Sequence, residues 1–195
     1  MPASNGCRNI ELSDESLRKH YNVLFMIIKG FFDRMFFDAA LPRITDLYKT
    51  LGISSRAGDK ILDRLEYCWR YIECIRNRRN RKVCYPTLLG LIALTKRQTY
   101  LEELLKHYEG TQHYYKLKNY FSFLASFEDD VDKLRVLLDE ASTAILKLLG
   151  FNNDNITNLG LARAALDYTI ITCIRLLPLQ IQELKELVQG DLEYE

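Results

Sequence analysis

Between Leu17 and Phe36 the apolar side chains Leu17, Tyr21, Leu24, Phe25, Ile28, Phe31, Phe32, Met35 and Phe36 recur at steps of three and four residues. That period belongs to a helix; a strand over the same stretch would send about half of them into water. Ser13 stands at the start as a cap for "ESLRKHYNVLFMIIKGFFDRMFF". With 9 Gly and 4 Pro in 195 residues, chain breakers punctuate segments of this kind and rarely interrupt them.

The punctuation sets out the remaining segments. Pro42 suits the first turn of a second helix that ends before Gly52. Ser54 or Ser55 opens a third, which carries Ile61, Leu65, Cys68, Trp69, Ile72 and Ile75 on one face and buries Trp69. Pro86 opens a fourth, with Leu88, Leu91, Ile92, Thr95, Leu101, Leu104 and Leu105 in rows, running to about His107 or bending near Thr95. Gly110 breaks the pattern, and helices follow over 113–127 and 129–149, where Gly150 ends the run. The capping residues of "NNDN" at 152–155 open a last stretch to about Gln189, which Pro178 kinks or splits. No run of alternating β-branched residues stands out. The expected fold is all-α, a compact bundle of six to eight helices. Its divisions are a flexible N-terminus over 1–12, one helical half over 13–109 and a second over 110–195 packed on the first.

A composition 48% apolar and 27% charged can bury a sizeable core. No apolar run approaches the ~20 residues that span a bilayer. The stretch "MPASNGCRNIELSDES" lacks the basic-then-apolar order of a signal peptide. Five cysteines without framework spacing point to free thiols in a reducing compartment, cytoplasmic or else nuclear. Net charge is only +1, but residues 1–98 hold 18 Lys and Arg against 10 Asp and Glu, whereas residues 99–195 hold 9 against 16. Such a two-ended molecule can attract copies of itself.

Chemistry-bearing constellations are sparse. His107 and His113 are six apart around a glycine, and neither CxxC nor HExxH occurs, so no metal site is expected. No glycine-rich phosphate loop appears, and no local pattern joins a nucleophile to a histidine. The acidic residues Glu102 and Glu103, and "EDDVD" at 128–132, suit helix starts. An enzyme is not expected, and no cofactor is implied. "FFDRMFF" at 31–37 reads as core whose four phenylalanines span more arc than one stripe; "HYYKLKNYF" at 113–121 reads as a packing helix with wet hydroxyls. The stretch "IRNRRNRKVCYP" at 75–86 sets Arg76, Arg78, Arg79, Arg81 and Lys82 within seven positions. It reads first as a solvated corner at a helix end before Pro86, second as a protein-binding patch, and last as a nucleic-acid contact.

Residues 46–109, from "DLYKTLGISS" to "LLKHYE", resemble death-effector domains, the six-helix interaction modules of apoptotic adaptors. A short apolar helix, a basic segment, a longer helix and an "LLxLI" helix follow in the family's order. "KRQTYLEEL" falls at the family's Arg-x-Asp-Leu motif, with Arg97 matching its arginine, Thr99 in place of the aspartate and Tyr100 in place of the leucine. "YYKLKNYFSFLASFEDDVDKLRVLLDE" at 114–140 is similar to the opening of the second module in tandem members, with Val131, Leu134, Leu137 and Leu138 matching its leucine helix. The resemblance implies a non-enzymatic protein–protein interaction module, an adaptor or regulator in apoptotic or innate-immune signalling; the two-ended charge adds a second copy of the chain to its candidate partners. In such a module the charge clusters read from the sequence, Arg76, Arg78, Arg79, Arg81 and Lys82 on one side and Glu128, Asp129, Asp130 and Asp132 on the other, would bind partners, together with Arg97 from the family motif. Two alternatives stay open: a bundle enclosing an apolar cavity for a lipid or hydrophobic ligand, and a structural subunit of a larger complex.

Overall fold

The long N-terminal helix forms where the apolar period placed it. In the computed structural model, which describes residues 12–76, 81–127, 129–148 and 164–172, α1 spans Asp14–Phe37. Ser13 caps it, its hydroxyl accepting from the Ser16 amide at 3.3 Å, and Asp14 and Glu15 complement the dipole in the first turn. Asp38, in the left-handed region at φ 53°, ends it. Its buried stripe includes Leu24, Ile28, Phe31 and Phe32, and α1 is the mast on which α3, α4, α5 and β2 pack. Gly30 is needed in mid-helix because a Cβ there would sit 2.5 Å from Pro42 Cδ, where the chain folds back.

Two short helices follow. Helix α2 covers Ile44–Thr50 and α3 covers Ser55–Asp63. The turn between them uses Gly52 at φ +64°, and Ser54 caps α3 by accepting from the Ala57 amide. The helices touch closely through Gly58, where a Cβ would lie 2.4 Å from the Tyr48 ring. The Tyr48 hydroxyl donates to Asp59 Oδ1 at 3.1 Å and locks the pair. This is a helix–turn–helix unit.

Beyond Asp63 the sequence expectation needs correcting. The third helix does not run to Ile75: it widens into one π-helical turn over Arg64–Cys68, and Arg70 at φ 56° then reverses the chain. Strands β1 (Ile72–Arg76) and β2 (Lys82–Pro86) form an antiparallel hairpin, pairing Ile72 with Pro86, Glu73 with Tyr85, Cys74 with Cys84, Ile75 with Val83 and Arg76 with Lys82. Strand β2 is the inner one, packed on α1, while β1 lies outside it. Trp69, expected to be buried in a helix, sits half-buried at this reversal, with its ring 5.1 Å from His20 and 5.4 Å from Tyr71.

Cys74 and Cys84 face each other across the ladder and are joined by a disulfide, with Cα atoms 4.1 Å apart; Cys68 is disulfide-bonded too. The free-thiol expectation therefore fails at these three positions. Sequence spacing alone could not show that a hairpin places residues 74 and 84 opposite one another.

The hairpin closes at its base. Thr87 donates its amide to the Tyr71 carbonyl at 3.0 Å and its hydroxyl to the Arg70 carbonyl at 2.6 Å, and it also caps α4 (Leu88–Thr95). Gly90 allows this approach, since a Cβ there would lie 2.0 Å from the Tyr71 carbonyl oxygen. The chain breaks after Thr95, then forms α5 (Gln98–His107), α6 (His113–Ala125), α7 (Val131–Leu148) and α8 (164–172).

Among the described residues the architecture is all-α apart from this two-stranded sheet. A continuous core runs from α1 through α4 and α6 to α8. At its centre Phe32 meets Phe36, Tyr120, Phe121 and Tyr168 at ring-centroid distances of 5.6–6.1 Å. In "FFDRMFF", Phe31 and Phe32 are core, Phe36 stacks on His113 at 4.1 Å, and Phe37 is exposed. Among the described residues no helix is long and apolar enough to cross a membrane.

Candidate functional site

The reversal at Arg70 lays the hairpin beside the helix–turn–helix, and a groove of about 460 Å³ opens between them. Its helical walls are Arg43, Thr45 and Tyr48 from the start of α2, and Ser55 and Asp59 from α3. Arg76, Arg81 and Lys82 form the opposite wall, from the outer ends of the two strands. Among the described lining residues four are cationic and one, Asp59, is a carboxylate, which the Tyr48 hydroxyl engages; Arg43 lies 3.9 Å from Asp46 just outside the groove. Burial, followed by the neighbouring Asp59, pushes the Tyr48 hydroxyl's pKa well up, so it stays a proton donor to that carboxylate.

The positioning of the hairpin has a clear local cause. Glu66, in the π-helical turn, accepts from the Cys74 amide at 3.2 Å and pairs with Lys82 at 3.1 Å. One largely buried carboxylate therefore pins both strands to the end of the α3 segment. On the far side of the ladder the Tyr85 hydroxyl donates to Glu73. Arg76 and Lys82 are the outermost described rung.

Helix α3 presents a polar face next to the groove. Ser55, Arg56, Asp59, Lys60 and Asp63 are exposed, while Gly58, Ile61 and Leu62 are buried. The inner side is held to the molecule by packing on α1, which leaves the outer side open along the helix.

Of the residues singled out from sequence, Arg76, Arg81 and Lys82 come together here, on strand ends and not at a helix terminus as expected. Arg78, Arg79 and Glu128 lie outside the described residues. Arg97 is elsewhere, at the start of α5, its guanidinium 4.7 Å over the Tyr21 ring. Asp129, Asp130 and Asp132 are exposed at the start of α7, where Asp130 pairs with Lys133 at 2.7 Å, and none lines the groove. His107 and His113 are used within the fold: His107 Nε2 lies 3.1 Å from Asp33 Oδ1, and the His113 ring stacks on Phe36.

Sequence reasoning missed Arg43, Thr45, Tyr48, Ser55 and Asp59, along with Arg56 and Lys60. A signal was present in "LYKTLGISSRAG", where a glycine turn and two capping serines separate two short amphipathic segments.

No family model, no curated protein and no solved structure matches this chain.

Proposed function

We propose that this protein binds duplex nucleic acid through the helix–turn–helix and the basic hairpin beside it. The observation that carries the reading is the shared groove, in which the exposed face of α3 and the cationic ends of both strands border one concavity. A DNA major groove, about 12 Å wide, admits a helix, and the second helix of such a unit is the one that enters it. Arg56 and Lys60 on α3 would meet phosphates or base edges, with Ser55 as a hydroxyl donor. Arg43, Arg76 and Arg81 would neutralise the flanking phosphates.

Fluorescence anisotropy with a labelled duplex of some three helical turns tests this. Binding should weaken steeply with salt, the slope of log K against log salt being about −0.9 for each phosphate neutralised. Arg76→Glu with Arg81→Glu should reduce both affinity and slope, and Arg56→Ala with Lys60→Ala should reduce affinity. Failure of the parent protein to bind any duplex at low salt overturns the reading.

A second reading keeps the protein-interaction module. Two large apolar side chains on α7, Val136 at 55% and Leu148 at 86%, stand exposed, and an acidic protein surface would satisfy the same basic groove. Sedimentation at low and high salt separates the two: in this reading the chain self-associates without nucleic acid.

A further inference from the structure

We propose that the Cys74–Cys84 bond is a reversible redox switch on the basic groove, opened by a dithiol reductant and closed again by oxidation. The switch acts on the site assigned above to nucleic acid and rests on that reading for its effect on binding. The state of the hairpin can be measured without any nucleic acid.

The bond stands between a clasped part of the hairpin and a tethered one. Toward the base, Thr87 is held through its amide to the Tyr71 carbonyl and through its hydroxyl to the Arg70 carbonyl, and Tyr85 donates to Glu73. Toward the outer end two described rungs remain, Ile75 with Val83 and Arg76 with Lys82. That end carries Arg76, Arg81 and Lys82, the strand wall of the groove. At the bonded rung the Cα atoms are 4.1 Å apart, close to the ~4.5 Å of an antiparallel pair that exchanges no backbone hydrogen bonds. The Cys74 amide accordingly turns away to Glu66 Oε1. The covalent link is therefore what joins the strands at this position. Without it the outer end keeps its two rungs and the Lys82–Glu66 pair, and so short a ribbon is marginal in water.

The two sulfurs differ in access. Cys74 on β1 is partly exposed, whereas Cys84 on β2 is 1% exposed and belongs to the core. A thiolate of the reductant would attack Cys74 Sγ; the bond between the two Sγ atoms breaks, and Cys84 leaves as a thiolate that takes up a proton. The second thiol of the reductant then attacks the mixed disulfide and releases Cys74, which is protonated in turn. Two electrons pass to the protein, and the reductant departs as its own disulfide. The clasp at the base keeps Cys84 opposite Cys74, so a disulfide oxidant closes the bond by the reverse exchange.

Hydrogen exchange on the full chain, oxidised and then treated with millimolar dithiothreitol, tests the switch directly, with alkylation and peptide mapping to show that Cys74 and Cys84 have become thiols. On reduction the Ile75 and Val83 amides should exchange about tenfold faster, with the Thr87 amide and α4 unchanged. Duplex affinity at low salt should fall about tenfold, since the wall must then be ordered on binding, and should return with oxidised dithiothreitol. Cys74→Ser with Cys84→Ser should bind as the reduced parent does and ignore the reductant. A pair that resists dithiothreitol in the folded chain, exchange rates that do not move or that rise throughout the molecule, a measurable but equal affinity in both states, or a double variant that still responds would each overturn the assignment. If the parent binds no duplex in either state, the nucleic-acid reading fails and the exchange rates alone decide the switch.

Discussion

His20 shows how one residue in a helical stripe acquires a job that its neighbours lack. It occupies a core position on α1, 3% exposed, with Nδ1 2.7 Å from the Ser16 carbonyl and its ring against Trp69. Burial lowers its pKa; the Ser16 carbonyl opposes that, and the charge of Arg64 adds to it. The folded state therefore prefers the neutral ring, and the unfolded chain takes up the proton first. Stability from this group is complete above about pH 6.5, the unfolded value, and is lost as pH falls from there through the lowered folded pKa. Thermal melts from pH 7.5 down to 5 should show falling stability, and His20→Gln should flatten the decline. His113, its pKa also lowered by burial and then by Lys116, works in the same window, so the single substitution removes only part of the slope. Asp33 acts lower on the pH scale. Burial would raise its pKa, but the donors Lys29, Tyr108 and His107 together outweigh that, so its contribution is lost only under acid conditions.

Among the elements, the helices and the hairpin differ in how plainly the sequence announced them. Helix α1 could be read because its period continues for six turns and one face has to be buried throughout. The hairpin could not, because Ile72 and Ile75 extend the three-and-four rhythm of Ile61, Leu65 and Cys68 across a point where the backbone stops being helical. Five-residue strands also give too few alternations to outweigh that rhythm. The basic cluster is visible in the sequence and its setting is not: the pattern suggests a helix terminus, and Arg76, Arg81 and Lys82 stand instead at the outer end of the hairpin. The groove's other wall stayed hidden because residues of α2 and α3 meet the hairpin only through the reversal at Arg70. The disulfide makes the hairpin's contribution measurable. Cys74 and Cys84 are 10 apart in sequence, and closing a loop of that size in the unfolded chain is worth about 2–3 kcal/mol. Cys74→Ser with Cys84→Ser should lower unfolding stability by that amount in urea melts, with the helical circular dichroism of the folded state unchanged.

Across the whole molecule, the charge balance of +8 over residues 1–98 and −7 over residues 99–195 takes on a direction. The basic groove belongs to the first part, and the exposed acidic start of α7 to the second. A polyanion would be drawn to one face and repelled from the other, which favours one orientation of approach. Asp129→Lys with Asp130→Lys should therefore raise duplex affinity, by no more than about tenfold, at low ionic strength. The gain should vanish near 0.5 M salt, where the screening length is about 4 Å; anisotropy at both salt concentrations would check this. The clasp at the hairpin's base bears on how such a protein could diversify. Thr87 ties the outgoing chain to Arg70 and Tyr71, where the incoming chain begins, and the Cys74–Cys84 bond fixes the middle rung. For residues inserted between the strands, the Cys74–Cys84 rung would still hold the register and Thr87 would still hold the start of α4. Each doubling of that loop would cost only about 0.6 kcal/mol of closure entropy. The span of this arm is thus open to change by descent, with the bundle insulated from the experiment.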